Sequence, residues 1–383
     1  MTTPLRTLQI GLEWFPEHGG GLDRYFHDLM RHADSVGIKV QGLVAGRASV
    51  EDESSGLVTS FTDRTAALPR RLAAARRAVR HALRERHTDL VASHFALHAF
   101  PALDQINVPL VIHFHGPWAV ESMAQGQGSA ATMVKQLIER SVYRHSTRCI
   151  VLSNAFKRLL VEQYGIDPDR IDISPGGIDT DRFAAVATMP RSQAREALGW
   201  PVDRPIVLAV RRLVRRMGLD HLIAAVAHVV ARHPDLLLVV AGRGPEQAAL
   251  QAQVDALELN DNVRLIGFVP DDDLPLAYRA ADLTVTPTVA LEGFGLITVE
   301  AMAAGTPAMV TPVGGLPEIV QPLAPDLVVS GPGTGPLAEG LTGWLDGRII
   351  VPDEVACRRH AETHFSWPVS LQRIRTTYER ATR

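Results

Sequence analysis

Two glutamates, Glu292 and Glu300, stand eight residues apart and bracket the loop Gly293-Phe294-Gly295-Leu296. An ionised carboxylate only accepts hydrogen bonds, so such a pair suits a hydroxyl-rich ligand. Gly293 and Gly295 allow close backbone approach, and the residues after them read as a helix whose free N–H groups and dipole suit a phosphate. Either glutamate alone is explained as a dipole partner or a surface charge. Together with the glycines and the small-residue run AMAAGTPAMVTPVGG that follows, a ligand loop is the better account. Further candidates lie upstream. Arg211, Arg212, Arg215 and Arg216 crowd the segment VRRLVRRMG, and VIHFHG ends with His113 and His115 on one side by the two-residue period of a strand. A histidine at such a strand end can hold a hydroxyl or take its proton, and it can equally be a hydrogen-bonded structural residue. His94 and His18 are candidates of the same kind. The glycine run that includes Gly20 and Gly21 follows the first apolar segment, where a tight turn or a phosphate contact would each account for it. Among the fifteen histidines no i, i+4 pair with a nearby acid resembles a zinc site, and no Asp-x-Asp pair serves the second half, so no metal is expected.

Short apolar runs alternate with helical patterns through most of the chain, which predicts parallel sheets built from βαβ units. In the first half strands are expected near residues 8–12, 39–44, 90–93, 110–113 and 149–153, with an arginine-rich helix over 66–86. Turn formers at 174–179 end that half. A linker is expected near 180–200, and the same alternation then restarts at residue 205. The expected organisation is α/β: two Rossmann-like, doubly wound domains, residues 1–185 and 186–365, and a C-terminal helix, 366–383. Ligands of such sheets bind beyond the strand carboxyl ends, so a deep cleft between the domains is the expected site.

The bulk numbers agree with a soluble enzyme-sized chain. At 383 residues the chain is too long for one ordinary core. The net charge of −3 gives no reason to expect nucleic acid, and two cysteines cannot frame a disulfide scaffold. With no long apolar run, a cytoplasmic location is expected, peripheral to the inner membrane face if the 66–86 helix makes a weak membrane-surface contact. A solvated helix face explains the same arginines. The composition leaves the oligomeric state open.

The segment EGFGLITVEAMAAGTPAMVTPVGGLPEIV resembles the signature of retaining glycosyltransferases of family 4, which have the GT-B fold. The resemblance extends through the N-terminal Gly-Gly loop, His115-Gly116, PGGIDTDRF, VRRLVRRMGLDHLI, VVAGRGP, VRLIGFVP and HFSW. It implies a nucleotide-diphosphate-sugar donor bound by the second domain, a hydroxyl acceptor on the first, and a C-terminal helix crossing back to the first domain. Glu292 and Glu300 match the family's spaced glutamates, implying that Glu292 orients the sugar and Glu300 holds the ribose. Arg212 falls on the family's diphosphate-binding arginine. The lysine expected five residues later is replaced by Met217, and Arg216 is the nearest stand-in. Cations are needed there because the leaving diphosphate gains charge; one pair at ~4 Å is worth roughly 4 kcal/mol at a dielectric of ~20. Gly20, Gly21 and Gly242 match donor-side glycines, His115 matches a histidine near the transferred sugar, and Gly267 to Val269 match the nucleobase contact. The amides of Gly293, Phe294, Gly295 and Leu296 complete the implied donor site. The implied reaction is front-side transfer with the acceptor proton passing to a phosphate oxygen; double displacement through Glu292 is the alternative. A sugar-nucleotide epimerase, a phosphorylase and a silent binding module are the competing readings, and the nucleotide, sugar and acceptor stay open.

Overall fold

The computed structural model describes residues 4–124 and 128–383. The chain divides into two compact units, one of residues 1–177 with 367–383 and one of residues 178–366.

The first unit is a seven-stranded parallel sheet in the order β3-β2-β1-β4-β5-β6-β7. Its strands are β1 (Leu5–Ile10), β2 (Ile38–Ala45), β3 (Val58–Thr62), β4 (Leu90–Ser93), β5 (Leu110–Phe114), β6 (Arg148–Val151) and β7 (Ile171–Ile173). The four residues of β4 and the five of β5 are all buried, as expected of central strands covered on both faces. The sequence reading misses β3 and β7. Both are short edge strands with few apolar residues, VTSFT and IDI, so neither shows a hydrophobic run.

The helix Leu68–Glu85 turns Ala74, Ala75, Val79 and Ala82 inward and leaves Arg70, Arg77, Arg80 and Arg84 exposed. Arg76 is tied to Asp104 and to the carbonyl of Pro101. The last helix, Trp367–Ala381, is part of this unit, as the resemblance implies. Trp367, Leu371, Ile374 and Tyr378 share one core with Tyr25, Phe26 and Leu29 of the helix Gly21–His32.

The second unit has five parallel strands in the order β10-β9-β8-β11-β12: β8 (Ile206–Val210), β9 (Leu237–Ala241), β10 (Val263–Gly267), β11 (Leu283–Thr286) and β12 (Ala308–Val310). Residues 178–200, expected to be partly first domain and partly linker, are built into this unit. They form the helices Asp181–Ala187 and Arg191–Leu198. Phe183 is buried with its ring 6.4 Å from Tyr278, and buried Arg195 donates to Ala280 O and Val202 O and pairs with Asp282 at 2.5 Å. Arginine at the inward position hid the burial from a hydropathy reading.

Candidate active site

In the second unit the parallel strands deliver the candidate side chains to one end of the sheet. β8 ends at Val210, so Arg211 and Arg212 emerge beside the loop that follows β11, its neighbour. Arg211 is buried, with Nη2 donating to Thr288 Oγ1 and pairing with the Glu292 carboxylate. Thr288 Oγ1 donates in turn to Glu292 Oε2 at 3.3 Å. Of the four arginines crowded here, Arg211 is thus the one tied to Glu292. The available signal was two opposite charges each placed just beyond a buried strand; pairing them required the strand order.

Arg212, the next residue, is exposed, and among the described residues no protein group is bonded to its guanidinium. Arg216 is half-buried and donates to Leu291 O at 2.8 Å, while its own carbonyl accepts from Val289 N at 2.9 Å. It braces the loop at Leu291, a non-glycine residue at φ +57°, a conformation that costs energy unless its surroundings hold it. Met217 is a core residue, 5% exposed.

Gly242 follows β9 at φ +145°, and a Cβ there would lie 1.8 Å from Arg211 O. The close approach expected of a ligand is here made by the adjacent loop. Gly295, at φ +97°, is the N-cap of the helix Leu296–Ala303 and supplies no side-chain cap, which leaves the first helical N–H groups without intrahelical partners. The Phe294 side chain points inward: it is 4% exposed and its ring meets Phe365 at 5.5 Å, which leaves the amide expected to contact the donor as its available group. An aromatic ring between two glycines anchors the loop, and only backbone is left to face outward. Glu300 lies fifth in the helix, just past its first turn, and is 6% exposed. Its Oε2 accepts from Tyr278 O–H at 2.9 Å. Beyond β10, Phe268 is exposed and Arg243 lies over its ring at 5.2 Å.

In the first unit the site residues gather beyond adjacent strands β1, β4 and β5. His94 follows β4 and His115 follows β5, and His94 Nδ1 meets His115 Nε2 at 3.2 Å. His94 Nε2 is 3.0 Å from Gln9 Oε1 of β1. His113, on β5, lies between Tyr25 O–H at 3.2 Å and Tyr378 O–H at 2.7 Å. The rings of His94 and His113 stack at 4.3 Å. Burial pushes His115 down to about 3, and holds His94 and His113 well below the usual histidine range with help from the neighbouring rings. The cluster is therefore neutral at physiological pH.

Gly20 is the N-cap of the helix Gly21–His32, which carries Tyr25 to within 4.7 Å of the His115 ring. The loop before it is folded on buried Asp23, which accepts from Glu13 N at 3.1 Å and meets His18 Nδ1 at 2.8 Å. Sequence reasoning missed Gln9, Tyr25 and Tyr378, for which no local motif exists. Among the described residues no three His, Cys, Asp or Glu side chains are placed to hold a metal ion.

Comparison with known proteins bears on both units. Residues 19–182 match the family model described as Glycosyltransferase Family 4, and residues 190–363 match that described as Glycosyl transferases group 1. The D-inositol 3-phosphate glycosyltransferase of Mycobacterium tuberculosis is 33% identical over 309 residues, covering 76% of this chain and 62% of that protein. This chain thus spans about three-fifths of the length of those curated relatives. A glycosyltransferase structure from Rickettsia africae superposes with a TM-score of 0.77 at 19% identity over 99% of both chains. That of Anabaena HepE, solved in complex with UDP-glucose, gives 0.75 at 21% identity over 98% of this chain and all of its own. The chain belongs to the family 4 glycosyltransferases and has their GT-B fold.

Proposed function

We propose that this chain is a retaining glycosyltransferase that moves a sugar from a nucleotide-diphosphate sugar to an acceptor hydroxyl. The observation that carries the reading is the pair of glutamates flanking an uncapped helix N-terminus beyond the second sheet, each held by its own partner, Arg211 for Glu292 and Tyr278 for Glu300. Arg212 and the amides at the start of the helix Leu296–Ala303 would grip the diphosphate, Glu300 the ribose, and the backbone near Gly267 and Phe268 the base. Glu292 would orient the sugar. Its engagement by Arg211 and Thr288 favours that role over attack on the anomeric carbon, because a carboxylate oxygen already bonded twice is a poor nucleophile. No metal is assigned to the reaction.

The acceptor attacks from the face the diphosphate leaves, and its proton passes to a phosphate oxygen. The similarity to a UDP-glucose-binding structure and to inositol-phosphate glycosyltransferases makes UDP-glucose and a cyclitol phosphate the first donor and acceptor to try. A thermal-unfolding panel of UDP, GDP, ADP and dTDP tests the donor class, since a ligand at ~100 times its Kd adds about 2.7 kcal/mol of stability. One nucleotide should stand out, with and without EDTA. A flat response to all four would remove the reading.

A further inference from the structure

The histidine cluster of the first unit has a direction. Thr7 Oγ1 donates to Lys39 O at 3.4 Å and so accepts from Gln9 Nε2 at 2.7 Å. Gln9 therefore presents Oε1 to His94 Nε2. An amide oxygen only accepts, so His94 carries its proton on Nε2 and its Nδ1 is bare. That bare nitrogen faces His115 Nε2, which must donate to it. His115 is left with a lone pair on Nδ1, and among the described residues no protein group is bonded there. The groups packed on the three rings are Gln9, Tyr25, Phe26 and Tyr378, all uncharged near neutral pH.

We propose that Gln9 and His94 are positioning residues that hold His115 as a neutral Nε2–H imidazole, so that its Nδ1 accepts a hydrogen bond from a substrate hydroxyl and does not bind an anion. An imidazolium, or the other tautomer, would present a donor at the same place. The inference deepens the glycosyl-transfer reading and rests on it only for the identity of the hydroxyl, which belongs either to the donor sugar or to the acceptor.

Long-range ¹⁵N–¹H correlation on the full-length labelled protein reads the tautomer directly. Both His94 and His115 are expected protonated on Nε2 and neutral from pH 7.5 to about 5.5, well above their depressed values. A proton on Nδ1 of His115, or charge on its ring in that range, overturns the proposal whatever the activity. His94→Asn, whose side-chain oxygen can stand near the place of Nδ1, should keep the His115 tautomer and most turnover. His94→Leu should lose the tautomer preference and at least about tenfold in turnover, the size of one misdirected hydrogen bond. Tyr378→Phe, in the same network but off this path, should leave the tautomer intact. Unchanged turnover in His94→Leu overturns the proposal. Slowed donor hydrolysis without acceptor assigns the hydroxyl to the sugar, and slowed transfer alone assigns it to the acceptor. The expected tautomer in a chain that transfers no sugar would keep the positioning of His115 and remove the functional reading.

Discussion

The carboxyl ends of the two sheets are furnished with opposite chemistry. Beyond the first sheet lie uncharged imidazoles, phenols and an amide, buried except for the half-buried His115 and hydrogen-bonded in a chain. Beyond the second lie arginines and glutamates, one pair locked together and Arg212 exposed. Neutral groups held rigidly discriminate by direction, because a misplaced donor or acceptor stays unpaired. Charges discriminate by sign and respond to charge that develops during a reaction. The transfer proposed above, between a hydroxyl acceptor and a diphosphate leaving group, would use both kinds of surface.

The contrast can be broken most sharply on the charged side. Arg212→Ala is expected to cost about 10² to 10³ in kcat, the usual effect of losing one preorganised charge contact. Near-normal turnover would detach Arg212 from the diphosphate. Gly242→Ala places a methyl group against Arg211 O and should destabilise the second unit by about 3 kcal/mol or more. Calorimetry would read this as an early transition of one unit, and an unshifted profile would mean that the two loops move apart freely.

On the neutral side the lever is pH. Burial holds His98 at about 4 and His94 and His113 well below the ordinary value of 6.5. Between these limits the unfolded chain binds protons that the folded chain refuses. The stability they contribute is complete above about pH 6.5 and is lost as the pH falls towards 4. At pH 5 His98 alone should cost about 2 kcal/mol, and His94 and His113 add to it in the same direction. In the second unit burial likewise lowers His360. The melting transition of the first unit should therefore move further between pH 7 and pH 5 than that of the second, and equal shifts would contradict the contrast.

The smallest expected effect is at Tyr278→Phe. Loss of its hydrogen bond to Glu300 should weaken nucleotide binding about fivefold, near 1 kcal/mol, with kcat little changed. Titration calorimetry would detect it, and unaltered affinity would free Glu300 from the ribose role.

What could be read from sequence follows the same divide. The second site is written in contiguous stretches: Glu292, the glycines and Glu300 lie within one loop and helix, and the strand ends that bear Arg212 and Gly242 are plain from hydropathy. What that reading leaves out is orientation. Phe294 turns inward to Phe365 at the end of a distant helix, and Arg211 turns sideways to Glu292, which depends on which strands are neighbours. The first site was legible at its strand-end histidines, His94, His113 and His115, each at the end of an apolar run. The groups that orient them, Gln9, Tyr25 and Tyr378, come from another strand, the first helix and the last helix, and nothing local announces them. Arginine also misled where it is structural, since Arg191 and Arg195 tie a supposed linker to Asp282.

The place of the last helix bears on how the chain comes to be folded. Tyr378 meets Gln9 across 369 residues and His113 across 265. On the ribosome the second unit has all its residues before the first does, although synthesis of the first begins earlier. The early sheet must wait, with the faces of Tyr25 and Phe26 uncovered, until residues near 381 emerge. Such a protein closes its order of assembly in a loop, and an N-terminal fragment ending at residue 177 should expose apolar surface that a chaperone would hold. Loss of the final helix by proteolysis would strike the oldest part of the chain and spare the part beside the cut.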